Sequence, residues 1–445
     1  MPNVIPEMAV AGLLARENAR FIQRNPKSAA LAKAAEKNWL RGVPMHWMVD
    51  WGTPFPLFVD KAKGVDLTDA DGNSYIDFCL GDTGAMFGHA PEPVAAALRA
   101  CDGFTTMMPS SDAVIVGALL EERFKLPHWQ VTTSASDANR AVIRWCRAIT
   151  GRKKILVFNH CYHGAVDETF VTIDGVDPAL IGEPRDLTAF TKVVEFNDVA
   201  ALDAALAPGD VACVLAEPVM TNVGMVLPVQ GFLEHLRGVT TRTGTLLIFD
   251  ETHTMSSGPG GYSDEHGLGP DGLVLGKPIA GGIPAAVYGF SAPVSTRISA
   301  CLKTRSPGHS GIGTTLAGSK IQLALMRVVL ETYFTREAFA PLIALAKKLE
   351  KGLADSIYKH GLPWHVTRVG ARVEFMCCPT APRNGGEAAQ VIHRPTDQAV
   401  HHYLLNRGVI ITPFHNMMLI CPATTGLHVN QMVETLDHCL TELLS

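Results

Sequence analysis

The sequence has 445 residues, 47% hydrophobic and 18% charged, a balance that excludes a disordered chain and gives enough length for a large domain plus a smaller one. Lysine and arginine number 38 against 43 acids, a formal charge of -5, and no dense basic block supplies the electrostatic footprint of a nucleic-acid binder. No uncharged apolar stretch reaches the roughly 18 residues a membrane helix needs, and the ten cysteines are scattered without a C-x-x-C pair, which disfavours zinc ribbons and points to a reducing, cytoplasmic setting.

Residues 8–40 carry an amphipathic helical pattern, and the early acid and prolines of "MPNVIPEMAV" do not read as a signal peptide. The stretch "VPMHWMVDWGTPFPLF" is aromatic and broken by proline, so it is expected to be irregular. "LTDADGNSYIDF" reads as a hairpin turning at Asp71-Gly72. From about Val94 to Leu302, strand candidates alternate with helical ones: "QVTTS", "KILVF", "CVLAEPV", "LLIFDE", "GLVLGK" and "AAVYGFS" are the strands, with helices such as Asp137 to Ile149 and Phe232 to Thr243 between. That alternation predicts a mostly parallel sheet with helices on both faces. Beyond Gly318, the helical "SKIQLALMRVVLETYF" leads into mixed helices and strands, an α+β segment. The expected division is residues 1–65 as an N-terminal segment packing with the small domain, 66–325 as the large domain and 326–445 as the small one.

Two apolar runs stop at charges: Leu246 to Phe249 ends at Asp250 and Glu251, and Gly272 to Leu275 ends at Gly276 and Lys277. Strand carboxyl ends are where open α/β sheets place their ligand crevices. A desolvated Lys277 suits Schiff-base chemistry, although a lone strand-end lysine more often snorkels to water. Asp250 could keep a bound pyridine nitrogen protonated, or cap a turn. Ser134, Ala135 and Ser136 lead from a strand into a helix, a place where an anion, phosphate above all, can bind; an ordinary serine cap is the alternative. "FNHCYHGAVDE" delivers Tyr162, His163 and Gly164 after a strand, with Tyr162 able to stack on a planar ring. The spacing of His160, Cys161 and His163 matches no common ligand pattern, so no metal is expected.

Together these pieces resemble the class III branch of the fold-type I pyridoxal-phosphate enzymes, the aminotransferases with glutamate-1-semialdehyde aminomutase and the β-amino-acid aminotransferases. The resemblance runs from "DADGNSYIDF" and "GHAPEPV" to "LLNRGVIITP". It implies an α/β fold with a mostly parallel seven-stranded sheet and a smaller α+β domain, with pyridoxal 5'-phosphate as cofactor. It also implies that Lys277 is the Schiff-base lysine, Asp250 the partner of the pyridine nitrogen, and Ser134, Ala135 and Ser136 the phosphate turn. Ala135 stands where glycine is usual, so this position must avoid positive φ or be strained. Tyr162 corresponds to the ring-stacking aromatic and Glu217 of "AEPV" to the glutamate near the cofactor's O3 side. Thr315 in "GIGTTLAGSK" aligns with the threonine that reaches the cofactor phosphate of the neighbouring subunit, which implies a homodimer with shared active sites. Leu316, Ser319 and Lys320 depart from the usual residues there, and "THTMSSGPGGY" departs from the run that usually follows the paired acids.

An amino-acid substrate needs a cation for its carboxylate. Arg41, Arg372 and Arg383 are candidates, Arg372 first, with an ion pair to Glu374 as its alternative role. Trp47 within "MHWMVDWGTPFPLF", and His415 with Asn416 and Met417, are candidate pocket walls, the first pointing to an apolar or aromatic substrate. The expected function is transfer of an amino group from an amino acid or amine, a β-amino acid or aromatic amine among them, to a keto acid or ketone. An aminomutase or racemase on the same scaffold is the alternative.

Overall fold

The structure, a computed structural model, describes residues 4–177, 180–182, 186–304 and 311–445. The chain forms two compact units: one comprises the residues up to Pro91 with Ala340–Ala381 and Val391–Ser445, the other Glu92–Phe339 with Pro382–Gln390.

In the second unit a seven-stranded sheet runs, in spatial order, His128–Thr132, Ala286–Phe290, Gly272–Leu275, Leu246–Asp250, Val211–Ala216, Lys154–Phe158 and Thr191–Val194. The strand Ala286–Phe290 lies antiparallel to both neighbours, and the pairings from Gly272–Leu275 outward to Thr191–Val194 are parallel. The six strands expected are present; the seventh, "TKVV", is a short edge strand whose four residues give too weak a period to stand out. The central strands are buried along their full length, which is why they read as continuous apolar runs. The helix Ala135–Thr150 lays Ala138, Ala141, Val142 and Cys146 onto Ile155, Cys213, Leu215 and Ile248. It stops at Gly151, whose φ of 71° is the left-handed turn that closes helices. Gly289 is forced by close approach, because a Cβ there would lie 2.6 Å from the Trp129 ring.

In the first unit the helices Glu7–Arg24 and Pro26–Ala35 match the N-terminal pattern. Fully buried Glu17 ties the first of them to the end of the helix Arg394–Leu405, accepting from Arg407 at 3.1 Å and Asn406 at 2.9 Å. The expected hairpin pairs Asp66–Asp69 with Ser74–Asp77; Asp69 organises its turn by accepting the amides of Asp71 and Asn73 at 2.9 and 2.8 Å. This hairpin belongs to the first unit and not to the large one, because Ser74–Asp77 pairs in parallel with Val409–Ile410 from the far end of the chain. The other boundary moves from 325 to 339, because Phe334 packs its ring against Phe124 at 5.8 Å and Phe339 follows it. A second sheet joins His365–Val369, Arg372–Met376 and Met417–Leu419, all antiparallel. The aromatic stretch after residue 43 holds a single 3-10 turn, His46–Val49.

Candidate active site

The register of the parallel strands sets the site. Phe249 lies opposite Ala216 and Asp250 opposite Val274, so Glu217, Asp250 and the Gly276-Lys277 pair emerge side by side at the carboxyl edge. Gly276 sits tightly over the start of the Ala135–Thr150 helix; a Cβ at Gly276 would come within 2.9 Å of the Ala135 methyl and 3.2 Å of Thr252 Oγ1. Ser134 is the helix cap, its hydroxyl accepting the Asp137 amide, and Ala135 is the first helical residue. The helix thus starts two residues before the expected Asp137, and Ala135 needs no positive φ. Ser136 Oγ accepts the Ala165 amide at 3.0 Å. Gly164, at φ 78°, leaves room for that hydroxyl, since a Cβ would lie 2.1 Å from it. The turn carrying half-buried Tyr162 is thereby fastened to the serine turn.

Asp250 is held from three sides. Its Oδ2 accepts from Asn139 Nδ2 at 2.8 Å and from His163 Nδ1 at 3.1 Å, and its Oδ1 accepts the Thr252 amide at 3.1 Å. Burial would raise the Asp250 carboxyl, but the hydrogen bond and charge of His163, with Thr252 and Asn139, overcome it and hold the group at about 2. Burial likewise disfavours a charged His163, yet Cys161 and Asp250 outweigh it and raise its pKa well above the ordinary imidazole value. The result is a fixed carboxylate at the edge of an apolar sheet. Glu251, the adjacent acid, serves the fold instead, since its oxygens accept the amides of Tyr262 at 2.5 Å and Ser263 at 2.9 Å and so anchor the short helix Gly261–Glu265.

Glu217 accepts the amide of Thr221 at 3.2 Å and also its hydroxyl through Oε2. Burial pushes its carboxyl up to about 7, against the opposing charge of His163. Lys277 is half-buried with φ 44°, an uncommon backbone for a side chain of its size, and its Nζ lies 2.8 Å from His253 Nε2.

Two buried polar atoms at these strand ends, Glu217 Oε1 and Thr252 Oγ1, have no hydrogen-bond partner among the described residues. With the Asp250 carboxylate and the helix start behind Ser134, they fit a polar ligand that offers a protonated group to Asp250 and an anionic group to the helix start. No cluster of His, Cys, Asp or Glu among the described residues could hold a metal ion. Thr315 is exposed, in the segment that precedes the helix Lys320–Thr332.

Apart from Arg383, the candidate substrate residues belong to the first unit. Arg372 is buried and donates to Thr83 Oγ1. Its anticipated partner Glu374 is bound instead to His415 Nδ1 at 2.8 Å. Arg41 is exposed and lies 3.2 Å from His46 Nε2. Trp47, 37% exposed, meets Phe414 edge to face at 5.6 Å. Arg383, in the second unit, is exposed in the bend before the helix Gly385–Val391 and is paired to Glu387 of that helix's first turn. Asn139, Thr252 and His253 are not apparent from the sequence patterns alone. Asn139 is a polar residue on an otherwise apolar helix face, and His253 breaks the usual run after the paired acids; those are their signals.

Residues 48–440 match the family Aminotransferase class-III. The chain belongs to the class III aminotransferases. Among solved structures, this class III aminotransferase is similar to a glutamate-1-semialdehyde aminomutase from Pseudomonas aeruginosa PAO1, with 49% identity, 99% of each chain covered and a TM-score of 0.96. A lysine-to-alanine variant of that protein is in complex with PMP. It is also similar to a β-phenylalanine aminotransferase from Variovorax paradoxus, at 25% identity over 96% of this chain and 97% of that one, with a TM-score of 0.86. Glutamate-1-semialdehyde 2,1-aminomutase of Akkermansia muciniphila is 31% identical over 87% of this chain and 92% of that protein. The fold is that of the fold-type I transferases, and the cofactor of this enzyme is pyridoxal 5'-phosphate.

Proposed function

We propose that the enzyme moves an amino group from an amino acid or amine to a keto acid or ketone, with Lys277 as the residue that bonds the cofactor. The carrying observation is the pairing of Lys277 with Asp250 at neighbouring strand ends, where His163 and Asn139 fix the carboxylate. Pyridoxal phosphate supplies an electron sink for charge developing at the substrate carbon. Asp250 keeps the pyridine nitrogen protonated, Ser134, Ala135 and Ser136 hold the phosphate at the helix start, and Tyr162 supports the ring face. Glu217, whose carboxyl burial pushes up to about 7, faces the O3 side, and its protonated form can donate a hydrogen bond there. Lys277, released when the substrate amine takes its place, carries the proton between the substrate carbon and the cofactor.

Arg372 is the proposed anchor for a substrate carboxylate, with Trp47 and His415 as apolar and polar parts of the wall; an aromatic β-amino acid fits that set, in line with the β-phenylalanine aminotransferase likeness. A homodimer with shared sites is supported by exposed Trp39, Leu40, Met107 and Met108, which are 52%, 88%, 76% and 70% accessible in the single chain, and by exposed Thr315. Ten unpaired cysteines support a cytoplasmic location, and no helix among the described residues is long and apolar enough to cross a membrane.

The second reading, an aminomutase, is favoured by the relatives that carry that name; a racemase would share its acceptor independence. Absorbance separates them. Adding an amine without acceptor should bleach the visible band of the lysine-bound cofactor, and a keto acid should restore it, while Lys277→Ala lacks the band and turnover. An amine isomerised or racemised with no acceptor present would replace the transaminase reading.

A further inference from the structure

His253 lies in the loop after Asp250 and Glu251, and its Nε2 is 2.8 Å from Lys277 Nζ. With Lys277 as an ammonium, which has three donors and no acceptor, His253 Nε2 is the acceptor of the 2.8 Å contact, and that assignment puts the imidazole proton on Nδ1. The contact joins two pinned backbones. His253 sits just before the turn Thr254–Ser257, its carbonyl accepting the Ser256 hydroxyl at 3.0 Å, and the same turn is tied back by the Met255 amide to the Glu251 carbonyl at 2.9 Å. Lys277 follows Gly276, which is wedged against Ala135 and Thr252, and precedes fully buried Ile279, whose amide bonds the Gly276 carbonyl.

The surrounding charged groups are engaged in their own bonds. Asp250 serves Asn139, His163 and Thr252; Glu251 serves Tyr262, Ser263 and Thr254; Glu217 serves Thr221. An imidazole nitrogen that accepts a hydrogen bond from an ammonium is also placed to accept its proton.

We propose that His253 is a positioning residue for Lys277 and the acceptor of the proton that Nζ sheds before it bonds to the cofactor. The inference rests on the reading of Lys277 as the cofactor-bearing lysine. One N–H bond of the ammonium breaks and one forms at Nε2, with no change of oxidation state. The freed nitrogen lone pair then makes the C–N bond to the aldehyde carbon, whose oxygen leaves as water.

The test is reloading of the full-length enzyme, stripped of cofactor, with pyridoxal 5'-phosphate, followed by the visible band from about pH 5.5 to 9. A positioned base contributes on the order of a hundredfold or more. The wild-type rate should fall in acid with an imidazole inflection. His253→Gln, which can accept a hydrogen bond but not a proton, should lose the inflection and load at least about tenfold more slowly, reach the same final band, and be rescued by free imidazole. A variant with the wild-type rate and inflection overturns the proposal. Should His253→Gln fail to fold or load, NMR titration of the His253 imidazole in unloaded wild type and Lys277→Ala decides: a titration unmoved by loss of Nζ overturns it. Retention of the visible band in Lys277→Ala would instead sink the reading of the site itself.

Discussion

Asp250 and Glu374 are both strand carboxylates, both nearly inaccessible, and each has a histidine within reach, His163 at 3.1 Å and His415 at 2.8 Å. They differ in where the strand puts them. Asp250 is the last residue of its strand, at the open edge of a parallel sheet. Glu374 lies in the middle of a fully buried strand, opposite Thr367 on one side and Met417 on the other. A separate polar group in the same unit joins Asp397 to Asn416, at 3.0 Å, and Asn416 to His401, at 2.8 Å. Burial disfavours a charged His415, and Glu374 outweighs it to raise the histidine's pKa. A carboxylate at a strand end can meet a ligand; one in mid-strand chiefly satisfies its own neighbours. Chemistry should therefore depend most on the first cluster and stability most on the second.

The largest expected effect sets the two apart by rate. Asp250→Asn should slow the amine half-reaction by about a thousandfold, about 4 kcal/mol of barrier, in stopped-flow absorbance, whereas Glu374→Gln should cost less than about tenfold. Comparable losses would erase the distinction. In stability the order should invert: Glu374→Ala strips a buried histidine of its carboxylate and should lower the unfolding free energy by about 3–5 kcal/mol in urea titrations. Because the folded His415 value is raised, the stability it supplies is present below the ordinary histidine range and lost as pH rises through the folded value, and the variant should lose that slope.

Glu217 adds a pH dependence of the opposite origin. With its carboxyl at about 7 in the fold against 4.5 in the free side chain, the native state holds more protons across that interval. Stability should fall as pH rises through it, by a few kcal/mol at most on the order-of-magnitude scale of such shifts. Thermal unfolding of Glu217→Gln should lose this component of the slope over the same range, and an unchanged slope would assign the effect elsewhere. The smallest effect belongs to Arg383: removing its exposed pair with Glu387 should change stability by less than about 0.5 kcal/mol. A larger loss would mean that Arg383 does more than form an exposed pair.

The strand-end residues were legible because a buried parallel strand leaves an uninterrupted apolar run, and its first charged residue marks the sheet edge. Asp250 and Lys277 announce themselves that way. Asn139 and His253 do not, since one is hidden in an amphipathic helix and the other in a loop with no period. The Arg372 region was legible as a strand but not as a cluster. Its partners come from Thr83 and His415, and the choice of His415 over Arg372 for Glu374 depends on side-chain geometry across strands.

The sequence by itself determined the alternation of strands and helices, the two charged strand ends, the serine turn and the family they resemble, because each is a local pattern of apolar period and turn chemistry. The tertiary structure alone decided the rest. Register placed Glu217, Asp250 and Lys277 side by side, parallel pairing with Val409–Ile410 drew the early hairpin into the first unit, and close packing brought His253 to the nitrogen of Lys277. Such contacts join residues far apart in the chain, and their energies reside in distances that no local pattern specifies.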